Sequence, residues 1–318
     1  HGTRAALKGG VTTVIEHPNT IPPVEDPGKL EFKAKLLGSK AYVDYALLGV
    51  LHDGNTHLFE DMVSAGALGF KVFMGPTTGN IPPPSDSSLY EILYKSGRSN
   101  VTIAFHAEDH SLVSYFTERV KSSGRYDPEA HIDARPPIVE EYAVVKIATL
   151  AKRTGGRALI VHLSSFEALK SLVKAKRIGV KIYGETCPHY ILLDRDDYSK
   201  YGCLIKVNPP IRGGIHRLKL LDAVKNGLID VMGSDHAPHT PEEKSRDVWS
   251  SASGFAGVQT LFPLMLDLAL KGIISLNKIP ELLSENPAKI WGLYPWKGSI
   301  SINSSGDIVI VDPNSETI

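Results

Sequence analysis

Short apolar runs rich in β-branched residues recur along the chain, separated by longer stretches of helical periodicity. The runs predict strands at 11–16, 42–51, 69–74, 102–106, 159–162, 181–185 and 229–234. Helical patterns lie between them at 27–38, 58–65, 108–122, 140–154, 165–175, 217–226 and 258–271. Gly9-Gly10, Gly155-Gly156, Gly179 and Gly213-Gly214 mark joints between elements. Buried strands alternating with amphipathic helices predict a parallel sheet with helices outside.

Two architectures satisfy that pattern. A doubly wound open sheet normally carries a Gly-rich phosphate loop after its first strand. Here Glu16-His17-Pro18-Asn19-Thr20 stands in that place, so the barrel is the better reading. A closed (β/α)8 barrel needs eight strands. Only seven are visible, and His1 to Leu7 reads as mid-helix without an initiator Met, as though cut from a longer chain. The expected fold is therefore α/β, a TIM-like (β/α)8 barrel over residues 1–292 without its first strand. Residues 293–318 read as the truncated start of a small β-sandwich domain, with strands at 296–300 and 306–312.

Composition narrows the field. Of 318 residues, 42% are apolar, enough for a large core. The 35 Lys and Arg balance the 35 Asp and Glu, which gives no support to a nucleic-acid or anionic-membrane partner. Cys187 and Cys203 are too few for a disulfide framework, so a reducing cytoplasm is expected. No apolar run is long enough to span a bilayer, and no signal peptide is present.

In a barrel, chemistry gathers at the C-terminal strand ends. Those ends carry Asn19, Lys71, His106, His162, Glu185 and Asp235, each from a different strand, and that coincidence points to a site. Lys71 lies in a strand apolar on both sides, so desolvation favours its neutral amine. It could be a buried ion pair with Glu185 or Asp235, a Schiff-base amine, or an amine converted by CO2 to a carbamate between two metals. Two histidines downstream favour the carbamate. Neutral imidazoles at His106 and His162 suit zinc and similar ions.

Asp235, in VMGSDHAPHT, can ligate a metal, move a proton, or do both. His239 at the rim either holds an anionic substrate group or orders its loop. Asn208, before Pro209, either offers its amide to a ring amide or punctuates a turn. Glu185 and Cys187 could support the site or form a further metal site, with Cys187 read as a small buried residue. His110, His131 and His216 read as surface residues.

The segments GTRAALKGGVTTVIEHPNT, GFKVFMGPTTG, FHAED, VHLSS, GETCPHY, KVNPPIR, GSDHAPHTPEEK and SENPAKIWGL together resemble the cyclic amidohydrolases, a family of metal-dependent hydrolases. Its members are dihydroorotases, allantoinases and hydantoinases (dihydropyrimidinases). The Ala-Pro-His after Asp235-His236 and the KVNPPIR segment resemble the dihydroorotase form. The expected function is reversible interconversion of dihydroorotate and N-carbamoyl-L-aspartate in pyrimidine biosynthesis. An allantoinase or hydantoinase is the alternative, and an inactive homologue acting as an assembly partner is a further one.

The resemblance implies two divalent metal ions, usually zinc, bridged by a CO2-derived carbamate on Lys71. It implies His106 and His162 on one metal, and Asp235 on the other and as proton shuttle. Asn19 and His239 would hold a substrate carboxylate, Asn208 the ring, and Ala256 and Gly257 would close the pocket. His236 and Glu185 would support the site or hold an extra metal. The partners implied are a small cyclic amide and other copies of the chain, with a carbamoyltransferase as a further associate. One departure is plain: the family's His-x-His metal pair lies on the first strand, ahead of His1. The chain as written is therefore expected to turn over little or no substrate. An assay beside an N-terminally extended version checks this, and equal turnover by both refutes it.

Overall fold

The computed structural model describes residues 1–77, 79 and 81–314. Seven parallel strands form one curled sheet in chain order. They are β1 (Thr13–Glu16), β2 (Asp44–Val50), β3 (Gly69–Phe73), β4 (Thr102–His106), β5 (Arg157–Ile160), β6 (Ile182–Thr186) and β7 (Val231–Met232). Each strand pairs with its neighbour in sequence, and no pairing joins β1 to β7 among the described residues. The result is a TIM-like half-barrel open along one side. In the register, Lys71 sits beside Val50 and Ala104, and Phe73 beside His106.

The principal helices are α1 (Gly2–Lys8), α2 (Pro27–Gly38), α3 (Phe59–Ser64), α4 (Asp86–Ser99), α5 (His110–Ser122), α6 (Pro137–Thr154), α7 (Phe166–Arg177), α8 (Gly214–Lys225) and α9 (Leu261–Leu270). Their starts are written in the sequence. Asp26 accepts from Lys29 N, with Pro27 in the first helical position of α2. Ser85, Asp109 and Ser165 accept in the same way at α4, α5 and α7. Such side-chain caps satisfy backbone N–H groups that the helix cannot.

Two apolar layers hold the assembly. Phe59, Phe70, Phe105, Ile92, Ile103 and Ile147 are fully buried in the layer between sheet and helices. Leu48, Ala104, Leu159, Val161 and Val231 face inward, where Ile290 and Trp291 plug the lower end. Thr102 Oγ1 and Arg157 Nη2 both donate to the Ile290 carbonyl, at 2.7 and 2.8 Å, and so fasten the plug.

The expected strand order holds, with shorter strands. β5 ends at Ile160 and β7 at Met232, so His162 and Asp235 stand on the loops beyond. Residues 296–300 and 306–312 form no strands, contrary to expectation. Ile308 and Ile310 are 59% and 94% exposed there, and an apolar run with no ladder partner and no buried face does not make a strand. No helix among the described residues is long and apolar enough to cross a membrane.

Gly69 begins β3 where neighbours leave no room. An added Cβ would stand 2.6 Å from both the Thr102 carbonyl oxygen and Cζ3 of Trp291. The oxygen is backbone and cannot turn away. Gly69→Ala is expected to destabilise the fold by about 1–3 kcal/mol, the range for overpacking, read as a lowered melting temperature.

Candidate active site

A cavity of about 1100 Å³ opens at the C-terminal ends of the strands and runs down the gap between β1 and β7. Asn19, Glu185, Asp235, His236 and His239 are part of its wall, as is His17. Asn208, Ala256 and Gly257 lie outside that lining.

The two strand-end histidines meet. His106 Nδ1 stands 3.0 Å from His162 Nε2, with ring centroids 4.8 Å apart in an edge-on arrangement. Burial lowers the pKa of both, and at His162 the neighbouring His106 and Lys71 lower it further. Both rings are neutral at neutral pH, so each has one free lone pair. His162 φ is 43°, as is Asp235 φ. Only a few per cent of non-glycine residues adopt this left-handed region, and such strain concentrates at functional positions.

Lys71 is 3% exposed, with its Nζ 5.3 Å from the centre of the Phe73 ring. Burial pulls its pKa down, while the charges of Glu185, Asp235 and Cys187 pull the other way. No carboxylate among the described residues lies within ion-pair distance of Nζ, so the direct ion pair with Glu185 or Asp235 is not formed. Burial raises Asp235 to about 6 against the Lys71 charge. Glu185 is raised by the same cause. Both carboxylates are half-buried because they face the cavity, deep among protein atoms.

Could these residues hold a metal ion? Two nitrogens on one tetrahedral ion at about 2.0–2.1 Å would be about 3.3 Å apart. The observed 3.0 Å between two neutral imidazoles is close to that spacing. The pair therefore fits one edge of a metal shell, and Lys71 is close enough for its charge to act on both rings and on Asp235. Among the described residues, no three His, Cys, Asp or Glu side chains converge tightly enough to hold an ion by themselves.

The rim is held by buried cations on backbone oxygens. Lys206 Nζ donates to the Val248 and Ser251 carbonyls, both at 2.6 Å. Lys244 Nζ donates to the Lys206 and Gly254 carbonyls, at 2.8 and 2.7 Å. These bonds tie the segment carrying Asn208 to the one leading to Ala256. Asn208 Oδ1 is buried without a partner. At Gly257 an added Cβ would meet the Ser234 carbonyl at 2.4 Å, so the backbone there packs directly beside Asp235. His236 Nδ1 accepts from Val258 N at 3.3 Å and joins the same two segments. His239 Nδ1 stands 3.5 Å from Glu243 Oε2.

Several residues were read differently from sequence. His131 is buried, not a surface residue, and its Nε2 donates to the Val207 carbonyl at 2.9 Å. His216 Nδ1 accepts from Phe166 N at the start of α7, while His110 is exposed as expected. Cys187 is fully buried, also as expected. His17 went unassigned, although it follows a strand directly and its Nδ1 is buried without a partner. Lys33 of α2 holds that corner, at 2.6 Å from Glu16 Oε2 and 3.2 Å from the His17 carbonyl. Glu108, two residues after His106, was also passed over. It is fully buried, with its Oε2 3.1 Å from His106 Nε2.

Known proteins share this arrangement. The profile of the Amidohydrolase family matches residues 1–318. An L-hydantoinase of Paenarthrobacter aurescens is 33% identical, over 99% of this chain and 70% of its own length. An allantoinase of Salmonella newport (strain SL254) is 33% identical, over 100% of this chain and 71% of its own. The solved L-hydantoinase (dihydropyrimidinase) from Arthrobacter aurescens superposes with a TM-score of 0.93 at 32% identity, covering 96% of this chain and 69% of that one. Dihydropyrimidinase from Brevibacillus agri NCHU1002 gives 0.87 at 29%, covering 96% and 68%. These relatives are hydantoinases and allantoinases, so the dihydroorotase reading of Ala-Pro-His is not supported. The three residues after Asp235-His236 are too short a signal to outweigh likeness along the whole chain.

The buried histidines behind the rim make stability depend on pH. Burial lowers His131 and His189 to about 3, against roughly 6.5 when unfolded. Between those values the unfolded chain binds more protons, so stability is full above about 6.5 and is lost as pH falls towards 3. Each histidine is expected to contribute a loss of roughly 1.4 kcal/mol per pH unit in that window. Denaturant titrations at several pH values read the slope, and His131→Gln, which keeps a donor for Val207, should reduce it.

Proposed function

Since the chain belongs to the amidohydrolase family, we propose that it opens a small, uncharged cyclic ureide ring of hydantoin or allantoin type by hydrolysis of a ring amide. The observation that carries this reading is the pair of neutral imidazoles 3.0 Å apart beside a desolvated lysine. His106 Nδ1 and His162 Nε2 would hold a divalent ion, with Asp235 as a further donor. A neutral Lys71 amine could add CO2, forming an N–C bond with release of a proton, and the carbamate would supply a further oxygen donor to the site. Bound there, such ions polarise a carbonyl and lower the pKa of a water to about 7.

The chain's own groups do the rest. The Asp235 carboxylate, facing the cavity beside the lysine, takes a proton from the attacking water and passes it to the leaving ring nitrogen. Asn19 lines the same cavity. Glu243 Oε2 already faces His239 Nδ1 at 3.5 Å, and its negative charge there favours an uncharged ring over one bearing a carboxylate.

Hydantoin, allantoin and dihydroorotate assayed side by side test the substrate. Ring opening of hydantoin or allantoin is expected, with dihydroorotate turned over more slowly. A preference for dihydroorotate would overturn the reading. Asp235→Asn should lose about 100-fold or more in kcat, within the range of general acid–base catalysis, and wild-type turnover in that variant would remove Asp235 from the reaction.

A further inference from the structure

Glu108 lies directly behind the imidazole pair, fully buried and away from the cavity wall. A single oxygen, Oε2, accepts from Arg135 Nη1 and stands 3.1 Å from His106 Nε2. An ionised carboxylate only accepts, and a guanidinium only donates. The contact lies outside hydrogen-bond geometry, and Nε2 has no hydrogen-bond partner among the described residues. A carboxylate oxygen at 3.1 Å nonetheless repels a bare lone pair and attracts an N–H, so the His106 proton sits on Nε2. A neutral imidazole carries one N–H, so the other nitrogen, Nδ1, is left as a bare lone pair. That is the atom 3.0 Å from His162 Nε2. Two lone pairs at this distance repel, so in the absence of a cation His162 Nε2 holds the proton between the rings.

We propose that Glu108, held in place by Arg135, is a positioning residue that locks His106 in the Nε2–H tautomer. His106 Nδ1 is then a permanent electron-pair donor at the mouth, and His162 is the ring that changes tautomer when a cation arrives. The inference rests on the reading that this pair binds a metal ion, but the tautomer itself can be read without one. Arg135 is in turn fixed from two sides. Its Nη2 donates to the Pro76 carbonyl at 2.7 Å, and its own carbonyl accepts from Arg212 Nη1. A lock of this kind typically affects metal affinity by about 10–100-fold.

Imidazole nitrogen NMR on the metal-free full chain, with His106→Gln and His162→Gln used for assignment, reads the tautomers. Nε2–H is expected on both rings. Adding zinc should leave His106 unchanged and move His162 to Nδ1–H. Glu108→Gln keeps an acceptor oxygen, so His106 should keep its tautomer there. The double variant Glu108→Ala/Arg135→Leu removes both charges, leaving neither buried alone. In it His106 should populate both tautomers, and zinc affinity by chelator competition should fall about 10–100-fold.

Nδ1–H on His106 in the wild-type chain overturns the proposal. So does a folded double variant that binds zinc as tightly as wild type. Should the double variant not fold, the wild-type and Glu108→Gln spectra still decide. Zinc uptake unaffected by His106→Gln and His162→Gln would instead refute the metal reading, while the tautomer measurement would continue to test Glu108.

Discussion

A charge taken out of water has to be met by an opposite charge, and beneath this mouth the requirement is met twice. Glu108 takes Arg135, and Glu140 lies 3.6 Å from Arg212 while accepting from Ser164 N and Oγ at 2.8 and 2.9 Å. The two pairs are joined, because Arg212 donates to the Arg135 carbonyl and to Ser164 Oγ. His106 precedes Glu108 by two residues, and His162 precedes Ser164 by two. Both strand-end rings thus stand two residues from one buried network. Removing a single member would leave its partner charged and unpaired, a cost of about 3–5 kcal/mol.

Above that base, shape and desolvation cooperate. His162 and Asp235 sit just past short strands and turn with φ of 43°. A continued strand would carry both side chains onward, away from the sheet ends. Conformations of this sort cost of order 1–3 kcal/mol each, and the surrounding packing sustains them. Lys206 and Lys244 fasten the opposite rim by donating to backbone carbonyls, so those segments are fixed without bulky side chains at the cavity. The mouth is therefore tied down on both sides of the cavity.

The periodicity of apolar residues was enough to place all seven strands, because each leaves a short apolar, β-branched run that a helix would not, most plainly at β3 and β4, which are buried on both faces. It overran their ends. At His162 and Asp235 the chain leaves the ladder while remaining apolar, and hydrogen-bond pairing has no signature in composition. Lys71, His106, His162 and Asp235 were legible because a polar residue closing an apolar run is conspicuous. His131 was not, because its burial comes from the distant Val207 segment. Glu108 looked like the start of a helix, and its partner Arg135 is far away in sequence. The apolar 306–312 run misled for the opposite reason: it has strand character but nothing to pair with. A three-residue motif likewise proved a poor guide to the chain's relatives, since likeness along the whole chain outweighs it.

One contact has an evolutionary meaning. The segment after β3 comes close enough to the cavity that a Cβ at Gly79 would stand 3.2 Å from that of Asn19. Arg135 grips this segment at Pro76 by a backbone oxygen, not by a side chain. Every amino acid supplies that oxygen. The loop can therefore change its side chains while the guanidinium keeps its hold on Glu108. Change in that loop's side chains is in this way uncoupled from the fixing of Glu108.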